Sequence, residues 1–322
     1  MAPTLNLHLT QYLAAVVDEG HFGRAAQRLH VSGSALSKQI RTLEDKLGVE
    51  LVDRRTHPVG PTEAGRLFLT EAREALAAAD RALAAVAAHR RAEAGVLRLG
   101  FMTATTGAHT RRILERMRRE VPDVAVQLIH LPWSAQADAV HDRTVDACLV
   151  GPPILDTAGV RLDLVRNETL VVALPAGHHL ADRSSVVLAD LDEEVHITDD
   201  RADPQWVRWW AHDPRPSGRP VRYGASAHTV DEMLEVVASG VAVAVTGAYV
   251  GGSHRHPGIV FLPVVDAHPC PISLCTRADA TAPAVEALRR AVDADRATSH
   301  PWATDPDGTT RLGTSPAVSR MR

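Results

Sequence analysis

The chain has 322 residues, of which 45% are apolar and 23% charged, and a formal net charge of −4. This length exceeds one ordinary domain, the composition excludes wholesale disorder, and no uninterrupted run of 18 apolar residues is present to cross a bilayer. Three cysteines, Cys148, Cys270 and Cys275, are too few for a disulfide framework, and the first thirty residues lack a basic segment followed by an apolar run, so a reduced, cytoplasmic protein is expected.

The charge is unevenly spread. Residues 1–91 hold 12 Lys+Arg and 10 Asp+Glu, which leaves 23 basic and 29 acidic side chains for the rest. Within 20–55, seven basic residues (Arg24, Arg28, Lys38, Arg41, Lys46, Arg54, Arg55) face four acidic ones, and Lys38 and Lys46 are the only lysines of the chain. A net negative total therefore does not exclude a DNA partner, because averaging hides a small basic module.

In chain order, 7–17 has Leu9, Leu13, Val16 and Val17 at helical spacing and ends near Gly20. A short second helix over 22–29 buries Ala25, Ala26 and Leu29, the two alanines permitting close helix approach. After the turn at His30-Val31-Ser32, Ser32 caps a third helix that runs to about Leu47 and stops at Gly48. Its Leu36, Ile40, Leu43 and Leu47 form an apolar face, while Ser34, Ser37, Lys38 and Arg41 form a polar and basic one. Such a helix suits a major groove, with hydroxyls and cations reaching phosphates and base edges, although an amphipathic surface helix has the same polarity.

Gly20 to Gly65 resembles the amino-terminal domain of LysR-type transcriptional regulators. The resemblance is carried by Phe22, Ala25-Ala26, Leu29, Val31-Ser32, Ala35-Leu36-Ser37, Gln39-Ile40, Leu43-Glu44, Leu47-Gly48, Leu51, Arg54 and Thr62-Glu63-Ala64-Gly65. It implies a winged helix-turn-helix, with 50–60 as a two-stranded wing whose Arg54 and Arg55 lie near the DNA backbone. Expected DNA contacts are Arg24, Ser32, Gly33, Ser34, Ser37, Lys38, Arg41, Arg54 and Arg55. Departures from the family pattern are His21 before Phe22, Gly33-Ser34 after the cap, Val52 in the wing and Pro61 before Thr62; they suggest an altered operator preference.

Residues 62–92 read as a linker helix. Leu69, Leu76 and Leu83 recur every seven residues, as do Ala72, Ala79 and Val86. This seam suits a two-stranded coil that would present two reading helices to a two-fold operator; packing against its own domain would also use it.

From Gly95 the pattern alternates. Expected strands are 96–101, 124–130, 145–150, 169–174, 241–246, 258–263 and 271–276; expected helices are 107–119, 134–141, 203–211, 228–239 and 281–294. Such alternation implies an α/β unit with parallel strands and right-handed crossovers. A looser resemblance continues here, through Val96-Leu97-Arg98-Leu99-Gly100, Pro122-Asp123-Val124, Val145-Asp146-Ala147, Leu174-Pro175 with His178 and Leu180, Val237 to Val241, and Pro283-Ala284-Val285. It implies a periplasmic-binding-protein-like effector domain of two subdomains, with chain crossings near 166–169 and 268–271. The expected organisation is a winged helix-turn-helix at 1–61, the linker at 62–92, one subdomain from 93–167 with 270–295, a second at 168–269, and a disordered tail at 296–322.

Ligands of open α/β sheets sit at carboxyl ends of strands near helix starts. Four places qualify: Thr103 with Thr105, where hydroxyls suit a carboxylate; Trp133-Ser134; Thr198-Asp199; and Thr246. Helix capping would equally explain the hydroxyl residues. Trp206, Trp209 and Trp210 are expected to cover the second subdomain's sheet, with lining of an aromatic effector's pocket as the alternative.

No P-loop, GxSxG, HExxH or complete GxGxxG motif is present, so no catalytic residue, cofactor or resident metal is expected. The expected function is a dimeric or tetrameric regulator of double-stranded DNA, governed by a small organic acid or aromatic effector that closes the cleft and alters DNA bending and RNA polymerase recruitment. A metal sensor using His178-His179 or His254-Arg255-His256, and a thiol sensor using Cys270 and Cys275, remain as alternatives; five extended residues separate those thiols by about 17 Å. A solute-binding protein would share the cleft but leave the first 90 residues unexplained.

Overall fold

The computed structural model describes residues 5–298; the expected tail lies outside the described residues from 299 onward. The described residues form two compact units that divide between Arg90 and Arg91. No helix among the described residues is long and apolar enough to cross a membrane.

In the first unit, α1 (Leu7–Glu19), α2 (Phe22–Arg28) and α3 (Gly33–Leu47) precede a hairpin of β1 (Val52–Asp53) and β2 (Gly60–Pro61), and α4 spans Glu63–Glu93. Local chemistry sets the boundaries. Asn6 caps α1 through Leu9 N–H, and Ser32 caps α3 by accepting from Ala35 N–H at 3.1 Å. His21 Nδ1 accepts from Gly23 N–H at 2.9 Å and so caps α2. Gly48, at φ +68°, ends α3 in the left-handed region. Leu13, Val16, Ala25, Leu36, Ile40, Leu43 and Leu51 form the core of this unit.

Leu69 and Ala72 are buried, and Leu69 belongs to the same core. The first part of the heptad seam therefore packs within its own unit, and only its distal part stands open: Leu83 is 72% and Val86 61% exposed.

The second unit holds β3 (Val96–Phe101), α5 (Ala108–Glu120), β4 (Ala125–His130), α6 (Asp138–His141), β5 (Ala147–Val150), β6 (Val160–Glu168) and β7 (Leu170–Pro175). There follow β8 (Val195–Thr198), α7 (Pro204–Ala211), β9 (Arg222–Ser226), α8 (Val230–Ala238), β10 (Ala244–Gly247), α9 (Ala248–Ser253), β11 (Ile259–Pro263), β12 (Cys270–Arg277) and α10 (Pro283–Thr298). A five-stranded sheet runs β4-β3-β5-β12-β6 and a three-stranded sheet β10-β7-β11. The chain passes from the first sheet to the second at Thr169 and returns between Pro263 and Cys270.

Several expectations need correction. Strands β3, β4 and β5 are parallel, but β12 is antiparallel to β5 and β6, and β7 is antiparallel to β10 and β11. The five-stranded sheet is therefore mixed, because β12 re-enters it from the other sheet rather than through a local crossover, and the three-stranded sheet is wholly antiparallel. Strands β6, β8 and β9 were not expected. The single helix foreseen over 134–141 is a 3-10 turn at Trp133–Ala135 followed by the short α6. Helix α10 extends through Thr298, so the first residues assigned to a disordered tail are helical.

Helices α5 and α10 cover one side of the five-stranded sheet through Ile113, Met117, Leu288 and Val292. They are stapled by Asp295, almost fully buried, which pairs with Arg112 Nε and His109 Nδ1, both at 2.5 Å. Helix α8 seals one side of the three-stranded sheet through Met233, Leu234 and Val237.

Candidate DNA-reading surface and ligand recess

In the first unit, Leu36, Ile40 and Leu43 turn α3 inward, which leaves Ser34, Lys38 and Arg41 exposed and Ser37 half-buried. Ser32 Oγ lies 3.2 Å from Ser34 Oγ at the amino end of the helix, beside exposed Gly33. Lys38 and Arg41 form no ion pair among the described residues, so both cations are available to an anionic partner. The other three expected cations are already engaged. Arg24 lies 3.7 Å from Glu19, Arg55 bonds Asp53, and Arg54 Nη2 donates to Glu44 Oε2 at 2.6 Å. The Arg55 side-chain hydrogen bond holds the Asp53 carboxyl below its usual range. Arg54 thus has a structural role that the sequence reading did not assign: buried Glu44 joins it to Leu51 N–H and Val52 N–H at the root of the wing.

In the second unit, an open recess lies among strand ends and helices. Met102 follows β3, Trp133 follows β4, Ile197, Thr198 and Asp199 end or follow β8, and Val245 and Thr246 lie on β10. Helix α7 adds Trp206, Val207 and Trp210, and α8 adds Val230 and Met233. The helix cap explains the aim of α7: Asp203 accepts from Gln205 N–H at 2.7 Å with Pro204 in the first turn. Trp206 and Trp210, four residues apart, then share the face toward the recess, and Trp209 packs on the core beneath the three-stranded sheet. The cluster thus does both things considered for it, covering and lining.

Trp133, Thr198, Asp199 and Thr246 of the expected effector residues line this recess. Ser134 lines a neighbouring groove that shares Trp133 and Trp206. Thr103 and Thr105 line neither. Thr105 is buried, and its hydroxyl accepts from Met102 N–H at 3.2 Å and faces Met102 O and Leu149 O at 2.9 and 3.1 Å. It closes its own turn, and this consumes the donor and acceptor that suggested a ligand contact. Thr103 Oγ1 lies 3.4 Å from His130 Nε2. Of the recess residues, His196, Val207, Val230 and Met233 are not singled out by the sequence, whereas Met102 opens the first expected place and Trp206 and Trp210 are the alternative pocket lining.

Two polar groups dominate the lining. His196 is fully buried and neutral: burial pushes its pKa down to about 4. Its Nδ1 donates to Ile197 O at 2.8 Å, and its Nε2 accepts from Val245 N–H at 3.1 Å. A histidine with a depressed folded pKa favours the unfolded state once the unfolded ring protonates. Stability is therefore complete above about pH 6.5 and falls as the pH is lowered through the window to about 4, by about 3 kcal/mol in all. Denaturant melts from pH 7 to pH 4 are expected to show this loss, and His196→Gln should remove most of the slope in that window.

Asp199 is the second group. Its Oδ1 accepts from Arg201 N–H at 2.9 Å and lies 2.8 Å from His228 Nδ1. No lysine or arginine lines the recess. Near the crossing between sheets, Arg166 Nη2 donates to Glu168 Oε2 at 2.5 Å and to Thr106 O at 3.3 Å, and Glu168 Oε1 accepts from Tyr249 N–H at the start of α9. This network ties together strand β6, the turn after β3 and helix α9.

The thiols are all buried. Cys148 and Cys275 are opposite one another in the register of β5 and β12. Burial pushes Cys270 up to about 12, Cys275 up to about 11 and Cys148 higher still. His178, His179 and Glu194 come together, with His178 Nε2 3.1 Å from Glu194 Oε2, whereas His254 bonds within α9 and His256 faces Glu235.

A winged helix-turn-helix unit joined to an α/β unit with a lined recess defines a class of two-part chain, a DNA-reading head with a ligand-binding body. Residues 7–66 match the family model of bacterial regulatory helix-turn-helix proteins of the lysR family, and residues 90–297 match the LysR substrate binding domain. The chain belongs to the LysR family. It is 32% identical over 194 residues to the HTH-type transcriptional regulator AlsR of Bacillus subtilis, covering 60% of this chain and 64% of that protein. It is also 32% identical over 204 residues to the HTH-type transcriptional regulator XapR of Escherichia coli, covering 63% and 68%. Thus the alignments span about two thirds of these relatives' length. Among solved structures, the LysR family transcriptional regulator CbnR superposes with a TM-score of 0.56 at 22% identity, over 90% of this chain and 99% of that one, a likeness of fold.

Proposed function

We propose that this chain is a transcriptional regulator that binds a two-fold DNA operator as a dimer or a tetramer, and that a small effector in the recess governs it. The observation that carries the reading is the exposed face of α3, where Ser34, Lys38 and Arg41 stand out from a helix anchored by Leu36, Ile40 and Leu43, with both cations unengaged among the described residues. A cation freed from intramolecular partners and presented on a groove-sized helix neutralises a phosphate and releases counterions. Lys38→Ala and Arg41→Ala are each expected to weaken operator binding about ten-fold and to lower the slope of log affinity against log salt by about one. Fluorescence anisotropy over a salt series measures both, and an unchanged slope in both variants would remove this face from the DNA.

The distal part of α4 supports pairing of two copies. Leu83 and Val86 are exposed apolar residues on a long helix, each the last of a series with seven-residue spacing, the pattern of a coiled-coil seam. Leu83→Glu is expected to shift the chain to a monomer in sedimentation velocity, and with it to lose most operator affinity, since each copy would then bind a half-site alone.

The lining of the recess supports the effector reading: strand ends, an apolar wall and a few polar groups are the usual composition of a small-molecule site. Closure of the recess would then alter DNA bending and contact with RNA polymerase, provided that the effector prefers one state. A thiol-redox reading finds less support, because the reactive species is a thiolate and all three thiols are buried with raised pKa values.

A further inference from the structure

The recess has an unusual charge for a pocket that would bind an organic acid. Its lining carries one ionisable acid, Asp199, no lysine or arginine, and a histidine whose two ring nitrogens are both satisfied by backbone groups. An anion entering it would lose hydration beside a carboxylate and gain no opposite charge; the two buried lining donors without a partner among the described residues, Trp206 Nε1 and Trp210 Nε1, are neutral.

The walls are rich in indole. Trp133 and Trp206 are stacked with centroids 5.6 Å apart, and Trp206 meets Trp210 at 5.9 Å with planes tilted by 48°. All three line the recess, together with the thioethers of Met102 and Met233. Indole faces are the best aromatic partners of a cation, which they hold within about 6 Å of the ring. The Asp199 carboxylate completes the set. It is 5% exposed, and both of its hydrogen bonds end on Oδ1; Oδ2 accepts none from the described residues.

We infer that the recess takes an organic cation, a protonated amine carried on an apolar or aromatic body, with the ammonium N–H on Asp199 Oδ2 and the charge against the tryptophan cluster. This inference rests on the recess being the effector site, and it replaces a carboxylate with an amine as the chemistry recognised there. Thr103 and Thr105, which had suggested a carboxylate, do not line the recess.

Three probes with one body and different heads separate the possibilities: phenethylamine, phenethyl alcohol and phenylacetate, titrated into the full chain by isothermal calorimetry. Phenethylamine is expected to bind at least about ten-fold more tightly than phenylacetate, with the alcohol between them. Asp199→Asn should cost the amine about ten-fold and leave the alcohol nearly unchanged, and Trp206→Phe, which keeps a weaker ring, should reduce amine affinity by a smaller factor. Circular dichroism checks that each variant is folded, and the wild-type ranking stands without them. Phenylacetate binding as tightly as the amine, with loss in Trp206→Phe, would overturn the charge class while leaving the recess as the effector site. Amine binding indifferent to both substitutions would overturn the recess itself, and no binding by any of the three at millimolar concentration would overturn the proposal.

Discussion

Replacing Glu44 by alanine is expected to destabilise the amino-terminal unit by about 3 kcal/mol or more and to abolish operator binding. Glu44 sits on α3, seven residues before Leu51, yet its carboxylate organises the wing. Oε1 accepts from Leu51 N–H at 2.9 Å and Val52 N–H at 3.2 Å, and Oε2 accepts from Arg54 at 2.6 Å. Removal leaves two buried backbone donors without partners, each costing about 1–3 kcal/mol. The Arg54 guanidinium also loses its counter-charge, but it is about one-third exposed and water compensates in part. Glu44→Gln keeps one acceptor oxygen for the backbone and should cost about half as much. Thermal unfolding followed by far-UV circular dichroism, with DNA affinity alongside, measures the effect; a loss below about 1 kcal/mol in the alanine variant would mean that the wing does not depend on this carboxylate.

Gly65→Ala is expected to be of similar size, for a steric reason. Thr62 caps α4 by accepting from Gly65 N–H at 3.0 Å, and Thr62 also donates its hydroxyl to Glu50 O and its N–H to Leu51 O. This pulls the first turn of α4 onto the backbone of the wing. A Cβ on Gly65 would lie 2.0 Å from Leu51 O, so either the helix or the strand must move by about an ångström. Overpacking against backbone, which cannot rotate away, costs about 3 kcal/mol. Gly33→Ala provides the control. Nothing lies within 4 Å of its Cβ, and the position is helical, so alanine there should be neutral or slightly stabilising. If Gly65→Ala melts like Gly33→Ala, the close approach at Leu51 is not a feature of the folded protein.

The reading head was legible because its determinants are local. Ser32, Gly48 and the adjacent Ala25 and Ala26 mark boundaries and contacts within a few residues of themselves, and α2 and α3 fall where those marks put them. The body was less legible where partners are remote. Strand β6 is an edge strand whose apolar residues are interleaved with Arg161, Asp163 and Arg166, and its only partner, β12, lies about a hundred residues later. The mixed direction of the five-stranded sheet follows from the same return, which alternation of elements cannot reveal.

The heptad at Leu69 and Ala72 had the right spacing for a partner helix, but spacing does not say whose core is buried, and here it is the unit's own. In the recess, Thr105 has a hydroxyl at a strand end, as a ligand contact would, and its backbone engagement is visible only in three dimensions. Trp206 and Trp210 carried the opposite lesson: the residue types pointed first to a core, whereas the face they share opens to the recess.

The central claim is that two copies of this head read two major-groove segments of one operator. Hydroxyl-radical footprinting of the full chain on duplex DNA from its own upstream region tests this most directly. Two protected segments on one face of the duplex, separated by a whole number of turns of about 34 Å and lost together in Leu83→Glu, are the expected result. Protection of a single segment, uniform coating without phase, or a footprint that survives Leu83→Glu intact would contradict it.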